Sequence, residues 1–268
     1  MRGTGAAGQS GVESMTGNQG MTVKSILRTG AAVLAVLATS AMGSALRAQE
    51  LPETTRLSVL EAKLSSAEKQ LTLIEDVQAI KRLQSAYGYY RSKGMADEIA
   101  NLFSDNPTVS VELAGRGVFM GKERIRQFFS HAANQVKEGQ LYNEVIGQGV
   151  VHVDPESNTA KGRWRALIQE GTYGEDGHWI EGPFENEYVK ENGVWKFSKI
   201  HWYQTVKGSY DKGWNGQNFQ PPGPLADLPP DEPPTADFKS YPEPFFKPYH
   251  YLHPVTGKPV NSTQGAAK

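Results

Sequence analysis

The stretch from Ile74 to Trp214 constrains the fold most, because helical periodicity comes first and four long strands come after it. IEDVQAIKRLQSAYGYYRSKG reads as one helix over about 74–92, ended by Gly94, and MADEIANLF as a short helix over 95–103. A strand is expected near 108–113 and a third helix over 121–137, starting after Gly121. Strands follow at about 142–153, 160–173, 179–190 and 194–206. Turn signals separate them at Asp154-Pro155-Glu156-Ser157, Gly174-Glu175-Asp176-Gly177 and Glu191-Asn192-Gly193. Helices followed by a meander of long strands predict an α+β fold, a curved mixed or antiparallel sheet closed on one face by three N-terminal helices. Such a sheet forms a cone whose interior can hold one small molecule.

The ends differ from this middle, so one folded domain is expected in the 268 residues, over 74–214. Net charge is −1; residues 1–48 hold four basic and one acidic residue, so the remainder carries about −4. No basic field is left to attract nucleic acid or an anionic membrane. The chain has no cysteine, which excludes disulfides, thiolate metal sites, a cysteine nucleophile and a lipoprotein anchor.

Within residues 1–48, Lys24 and Arg28 precede an apolar run, Ala31–Met42, too short to span a bilayer. Small residues follow at Gly43, Ser44, Ala45 and Ala48. This reads as a signal peptide cleaved after Ala45 or Ala48, with Met15 or Met21 as the initiator, and hence an exported protein, periplasmic if bacterial. Over 49–73 an amphipathic extension is expected. Leu57, Leu60, Leu64, Ala67, Leu71 and Ile74 recur at three-four spacing in a charged background. Unbroken to Ser92, that helix would be about 54 Å long, so it either breaks or packs on a partner chain. The expected partner is a second copy of the chain, in a homodimer or higher homo-oligomer. Residues 215–268 are rich in proline, which favours extended backbone. Tyr241, Phe245, Phe246, Tyr249 and Tyr251 are too many aromatics for a solvated linker, so this tail is expected to dock on the body or on a partner subunit.

The order of YGYYRSKGMADEIANLF, MGKERIRQFF and NGVWKF over residues 74–214 resembles the nuclear-transport-factor-2-like superfamily, in its SnoaL-like and dehydratase branch. The resemblance implies a cone with an apolar pocket, commonly dimeric, and activities that range from cyclisation and dehydration to ligand binding. The ending HWYQTV…YDKGW and the Pro/aromatic tail are also similar to the sphingomonad diarylpropane and phenylcoumaran γ-formaldehyde lyases. That likeness implies loss of formaldehyde from lignin-derived aromatic dimers without a cofactor.

Departures from the dehydratase pattern define the candidate site. Tyr90-Arg91 stands where that branch has Tyr-Asp, Glu144 where it has a pocket histidine, and Gly182 and Phe184 where it has Ser and Asn. Its carboxylate–histidine pair is therefore absent, and Tyr, Arg and Glu remain as polar groups. A buried Glu has a raised pKa and can act as acid or base, while Tyr and Arg can hold phenolic oxygens. The candidate catalytic residues are Tyr90, Arg91, Glu144, Glu170 and His201. The candidate substrate contacts are Tyr87, Phe103, Trp164, Phe184, Asn186, Tyr188 and Trp202. Tyr87, Tyr90 and Arg91 share a helix face, and each also reads as core or as an ion-pair member. Strand parity, which decides whether Glu144 points inward, stays open. Of six histidines, His201 is the one on a central aromatic strand. No metal-ligand spacing or phosphate loop occurs, and no cofactor is expected. The expected function is a cofactor-independent lyase on a phenolic, lignin-derived dimer. The alternatives are another dehydratase, isomerase or cyclase, or a non-catalytic exported ligand-binding protein.

Overall fold

The computed structural model describes residues 52–236, 239–243 and 247–260. The signal-like segment 21–48, Phe245, Phe246 and the last eight residues lie outside the described residues. The chain divides into two units, residues 1–62 and 63–268; of the first, only residue 52 and the opening turns of one helix are described.

That helix, α1, runs without a break over Glu53–Arg91, about 58 Å at 1.5 Å per residue. It neither stops nor kinks near Ile74. Its buried positions begin at Asp76 and recur at Ile80, Gln84, Tyr87, Gly88 and Arg91, the three-four spacing of one helix face on a sheet. Asp76 anchors the start of this face: its Oδ1 accepts from Lys190 Nζ at 2.7 Å and Trp195 Nε1 at 2.8 Å.

After a short helix α2 (Ala96–Asn101) come strand β1 (Ser110–Leu113), a 3₁₀ turn over Ala114–Arg116, strand β2 (Val118–Met120) and helix α3 (Lys122–Ser130). The sequence predicts α3 to continue to 137, but it ends at Ser130. The side chains that follow replace the missing backbone donors. Asn134 Nδ2 donates to Phe128 O at 2.7 Å, and Gln135 Nε2 donates to Phe129 O at 2.7 Å. A second 3₁₀ turn, Ala132–Asn134, results.

The long strands are β3 (Gln140–Asp154), β4 (Thr159–Thr172), β5 (Asp176–Glu191) and β6 (Val194–Trp202), followed by β7 (Val206–Ser209) and β8 (Gly213–Asn218). The last strand predicted from sequence, 194–206, is thus two strands. At Trp202 the backbone leaves β6, and β7 pairs with the first half of β5, from His178 opposite Ser209 to Glu181 opposite Val206. The sheet order is β2-β1-β6-β5-β4-β3, with β1 parallel to β6 and the other pairs antiparallel.

Parity along β4 and β5 is regular. Ala160, Gly162, Trp164, Ala166 and Ile168 are buried, as are Ile180, Gly182, Phe184, Asn186 and Tyr188, while the alternate positions are more exposed. In β3 a bulge between Gly147 and Val150, with Gln148 at φ +51°, resets the alternation. Ile146 before the bulge and Val151 and Val153 after it all pack on the core. The core joins this concave face to Ile80 and Tyr87 of α1, Ile99 of α2 and Phe128 and Phe129 of α3.

The Pro-rich segment first packs Leu225 and Leu228 on the core, then bridges the edge strand β2 from Glu232 to Val118, and continues over the other face of the sheet. Asp231 accepts from the Met120 amide and pairs with Arg124, and Thr235 donates twice to Glu112. Ser240 donates its amide to Gln220 Oε1, Lys247 O accepts from Arg163, and His250 Nδ1 lies 2.9 Å from Glu185 Oε2. Among the described residues no helix is long and apolar enough to cross a membrane.

Candidate active site

The concave face encloses a cavity of about 420 Å³. Its apolar wall includes Tyr87, Phe128, Ile168, Ile180, Phe184 and Trp202. Its polar groups come from six places in the chain: Arg91 at the end of α1, Arg116 and Asn134 in the two 3₁₀ turns, Tyr142 and Glu144 on β3, Glu170 on β4, and Gln204 and Lys207 around β7. Phe219, Gln220 and Pro222 complete the rim.

Arg91 closes the last turn of α1, where a cation is favoured by the helix dipole. Its Nη1 donates to Asn134 O at 3.0 Å and its Nη2 to Asn134 Oδ1 at 3.4 Å. The guanidinium lies 4.0 Å from the centre of the Tyr142 ring, a cation–π contact. Arg91 Nε is buried with no hydrogen-bond partner in the chain. A buried donor left open is costly, and here the guanidinium is held between the Phe129 and Tyr142 rings.

Glu144 is buried beside it. Ser92 Oγ accepts from the Glu144 amide at 3.0 Å, which ties β3 to the end of α1, and Tyr142 Oη approaches Glu144 Oε2 at 3.5 Å. Burial raises the Glu144 pKa to about 7, with Arg91 and the Tyr142 hydroxyl pulling in the opposite direction. A carboxyl poised there both gives and takes protons near neutral pH. Burial likewise raises the Tyr87 and Tyr142 hydroxyls well above their ordinary range, so both stay protonated donors. Glu170 accepts a hydrogen bond from Lys207 Nζ and has His178 Nδ1 at 3.9 Å. Burial lowers the Arg116 pKa, with Glu170 opposing it. Three basic side chains, Arg91, Arg116 and Lys207, therefore share the cavity with two acidic ones, Glu144 and Glu170, a balance that favours an anionic or acidic guest.

Of the residues selected from sequence, the cavity brings together Tyr87, Arg91, Glu144, Glu170, Phe184 and Trp202. The others lie elsewhere. Tyr90 is half-buried against the core on the side of α1 away from the cavity wall, since one residue on a helix rotates the side chain by about 100°. Phe103 is fully buried against Phe197. Trp164, Tyr188 and Asn186 share the concave face but are spent on one another. Trp164 Nε1 donates to Tyr188 Oη, while Tyr188 Oη and Asn186 Nδ2 both donate to Gln84 Oε1, at 2.8 to 2.9 Å. His201 is on the opposite face, because Ile200 and Trp202 take the inward positions on β6. It is 3 % exposed, with Tyr203 Oη at 2.8 Å from Nδ1 and Glu112 Oε2 at 3.2 Å from Nε2. Burial, with Lys199 and Lys247 nearby, pushes its pKa down to about 3. Sequence reasoning passed over Arg116, Asn134, Tyr142, Gln204 and Lys207. Tyr142 alone had a visible signal, two residues before Glu144 on the same strand. Among the described residues no cluster of three His, Asp or Glu side chains is placed to hold a metal ion.

Residues 72–201 match the family model of the SnoaL-like domain. Among solved structures, the chain is similar to a candidate scytalone dehydratase from Novosphingobium aromaticivorans, 18 % identical over 59 % of this chain and 97 % of that one, with a TM-score of 0.47. It is also similar to hexachlorocyclohexane dehydrochlorinase LinA-type3 from Novosphingobium barchaimii LL02, 19 % identical over 57 % of this chain and 99 % of that one, with a TM-score of 0.47. No curated protein sequence matches the chain.

Proposed function

Residues 72–201 are a SnoaL-like domain, and from that premise we propose that the chain is a cofactor-independent lyase acting on a phenolic aromatic dimer of the lignin type. The observation that carries this reading is the placement of Glu144, poised at a pKa of about 7, beside Arg91 in one cavity with an apolar wall. The cavity volume falls in the range of small-molecule sites, which extends from roughly 300 to 1,000 Å³. Two aromatic rings match its apolar wall.

The chemistry follows from the polar groups. A substrate with a phenol para to a carbon bearing a hydroxyl group loses water when Glu144 gives its proton to that hydroxyl and the phenol gives its own to solvent. The C–O bond breaks, and the ring becomes a quinone methide. Arg91, beside Glu144, offsets the charge that develops on the phenolic oxygen. The quinone methide is itself the electron sink. When Glu170 takes the proton of a terminal CH₂OH group on the adjacent carbon, the C–C bond breaks, formaldehyde leaves, and the electron pair forms the new C=C bond. The products are a stilbene, water and formaldehyde; the phenolate regains its proton from solvent, and the proton on Glu170 returns to Glu144 through solvent. Lys207 donates to Glu170 and orients it, and Tyr142 and Tyr87 donate to oxygens in the cavity.

This mechanism requires a free phenol. Methylating the para oxygen of a 1,2-diarylpropane-1,3-diol removes the route to the quinone methide without changing the rest of the molecule. The expected result is no detectable turnover of the methyl ether, with binding retained as competitive inhibition of the phenol. Equal turnover of phenol and ether would contradict the quinone-methide step.

A further inference from the structure

We infer that the exposed half of α1 is a self-association element, in which residues 57–74 pair in parallel and in register with the same residues of a second copy of this chain.

Three observations carry this. First, Leu57, Leu60, Leu64, Leu71 and Ile74 are between 56 % and 61 % exposed, although they lie on a helix with no break. An apolar stripe of that length on a water-facing helix marks a docking surface. Second, its period is seven. Leu57, Leu64 and Leu71 are one set of core positions and Leu60, Ala67 and Ile74 the other, the pattern of a left-handed coiled coil. Past Asp76 the pattern changes to the positions that pack on the sheet, so the seam is separate from the face used by the fold.

Third, the flanking charges select one arrangement. The positions preceding each first core position are Arg56, Lys63 and Gln70, and those following each second are Glu61, Glu68 and Glu75. In a parallel, in-register pair each of the former meets the latter five residues on. Arg56 then faces Glu61, Lys63 faces Glu68, and Gln70 faces Glu75, on both sides of the seam. An antiparallel pair would set these glutamates against one another. Among the described residues none of these charged side chains has an ion pair within its own chain, so all are free to serve a partner. The polar positions Ser58, Ser65, Thr72 and Lys69 fall on the far side of the helix.

The cysteine-free chain allows a direct test. Leu60→Cys and Ile74→Cys each introduce a single thiol at an exposed position that the fold does not need. Under mild oxidation of the full chain, each variant alone is expected to give a band of twice the chain mass on a non-reducing gel. Ser65→Cys, on the far side, should give little. Adding Leu64→Glu to Leu60→Cys should abolish the doubled band while the circular dichroism spectrum is retained. A band appearing only when Leu60→Cys and Ile74→Cys are mixed would mean an antiparallel pair. No doubled band in any combination would mean that something other than a second copy covers the stripe. Either result would overturn the inference.

Discussion

Replacing Glu144 with Gln lowers turnover by about 10²- to 10⁴-fold, the usual contribution of a positioned acid or base. The wild-type rate should also fall above pH 7, because Glu144 must carry its proton to give it to the leaving hydroxyl. The Gln variant loses that limb from what activity remains. The same substitution acts on stability with the opposite sign. Burial raises the folded-state pKa from 4.5 to about 7, so the stability that the neutral carboxyl confers is complete below the unfolded value and is lost as pH rises toward 7. Above pH 7 the folded wild type carries an ionised buried carboxylate, at a cost on the order of 3 kcal/mol. Gln cannot ionise. Glu144→Gln should therefore melt several degrees higher than wild type at pH 8, with the gap closing toward pH 4. Thermal melts at the two pH values, beside a pH–rate profile, check both halves. An inactive variant that is no more stable at pH 8 than at pH 4, relative to wild type, would mean that Glu144 matters only as a structural group.

Arg91→Met should cost kcat/KM about 10²- to 10³-fold, comparable with removing one preorganised donor from a site where charge develops. Methionine fills much of the same volume against Phe129 and the Tyr142 ring, which limits collapse of the wall. The sharper readout is electrostatic. The guanidinium holds the Glu144 pKa down, so its loss should move the alkaline limb of the residual activity to higher pH. Arg91→Lys should recover only part of the rate, because an ammonium cannot reproduce the planar guanidinium that donates twice to Asn134 and stacks on the Tyr142 ring. A limb left in place in the Met variant would separate Arg91 from Glu144 and remove the pairing from the mechanism.

Much of the fold could be read before the structure, because it rests on local signals. The turns at Asp154–Ser157, Gly174–Gly177 and Glu191–Gly193 delimit β3 to β6, and alternation along β5 divides Phe184, Asn186 and Tyr188 from Glu185 and Glu187. The site was legible only in part, because it depends on what distant segments do. Parity in β3 is reset by a bulge at Gln148, so no pattern running back from Val151 and Val153 could place Glu144. His201 lies among aromatics in sequence, yet its face is covered by Thr235 and Lys247, which pattern alone cannot connect to it. Asn134 fell inside an expected helix, and Lys207 beyond the end of an expected strand. Both reach the cavity because side chains end α3 early and the backbone leaves β6 at Trp202. Tyr90 and Arg91 are adjacent in sequence, and only the phase of α1 on the sheet decides which one lines the cavity.

The central claim is that this cavity converts a phenolic diarylpropane diol to a stilbene without an added cofactor. It is tested most directly by incubating the purified chain with that substrate alone, following stilbene absorbance and released formaldehyde together. The account predicts both products in a one-to-one ratio, and neither with Glu144→Gln. Stilbene-type absorbance without formaldehyde would reduce the reaction to dehydration, and tight binding with no product at all would contradict the lyase reading and make the cavity a carrier's site.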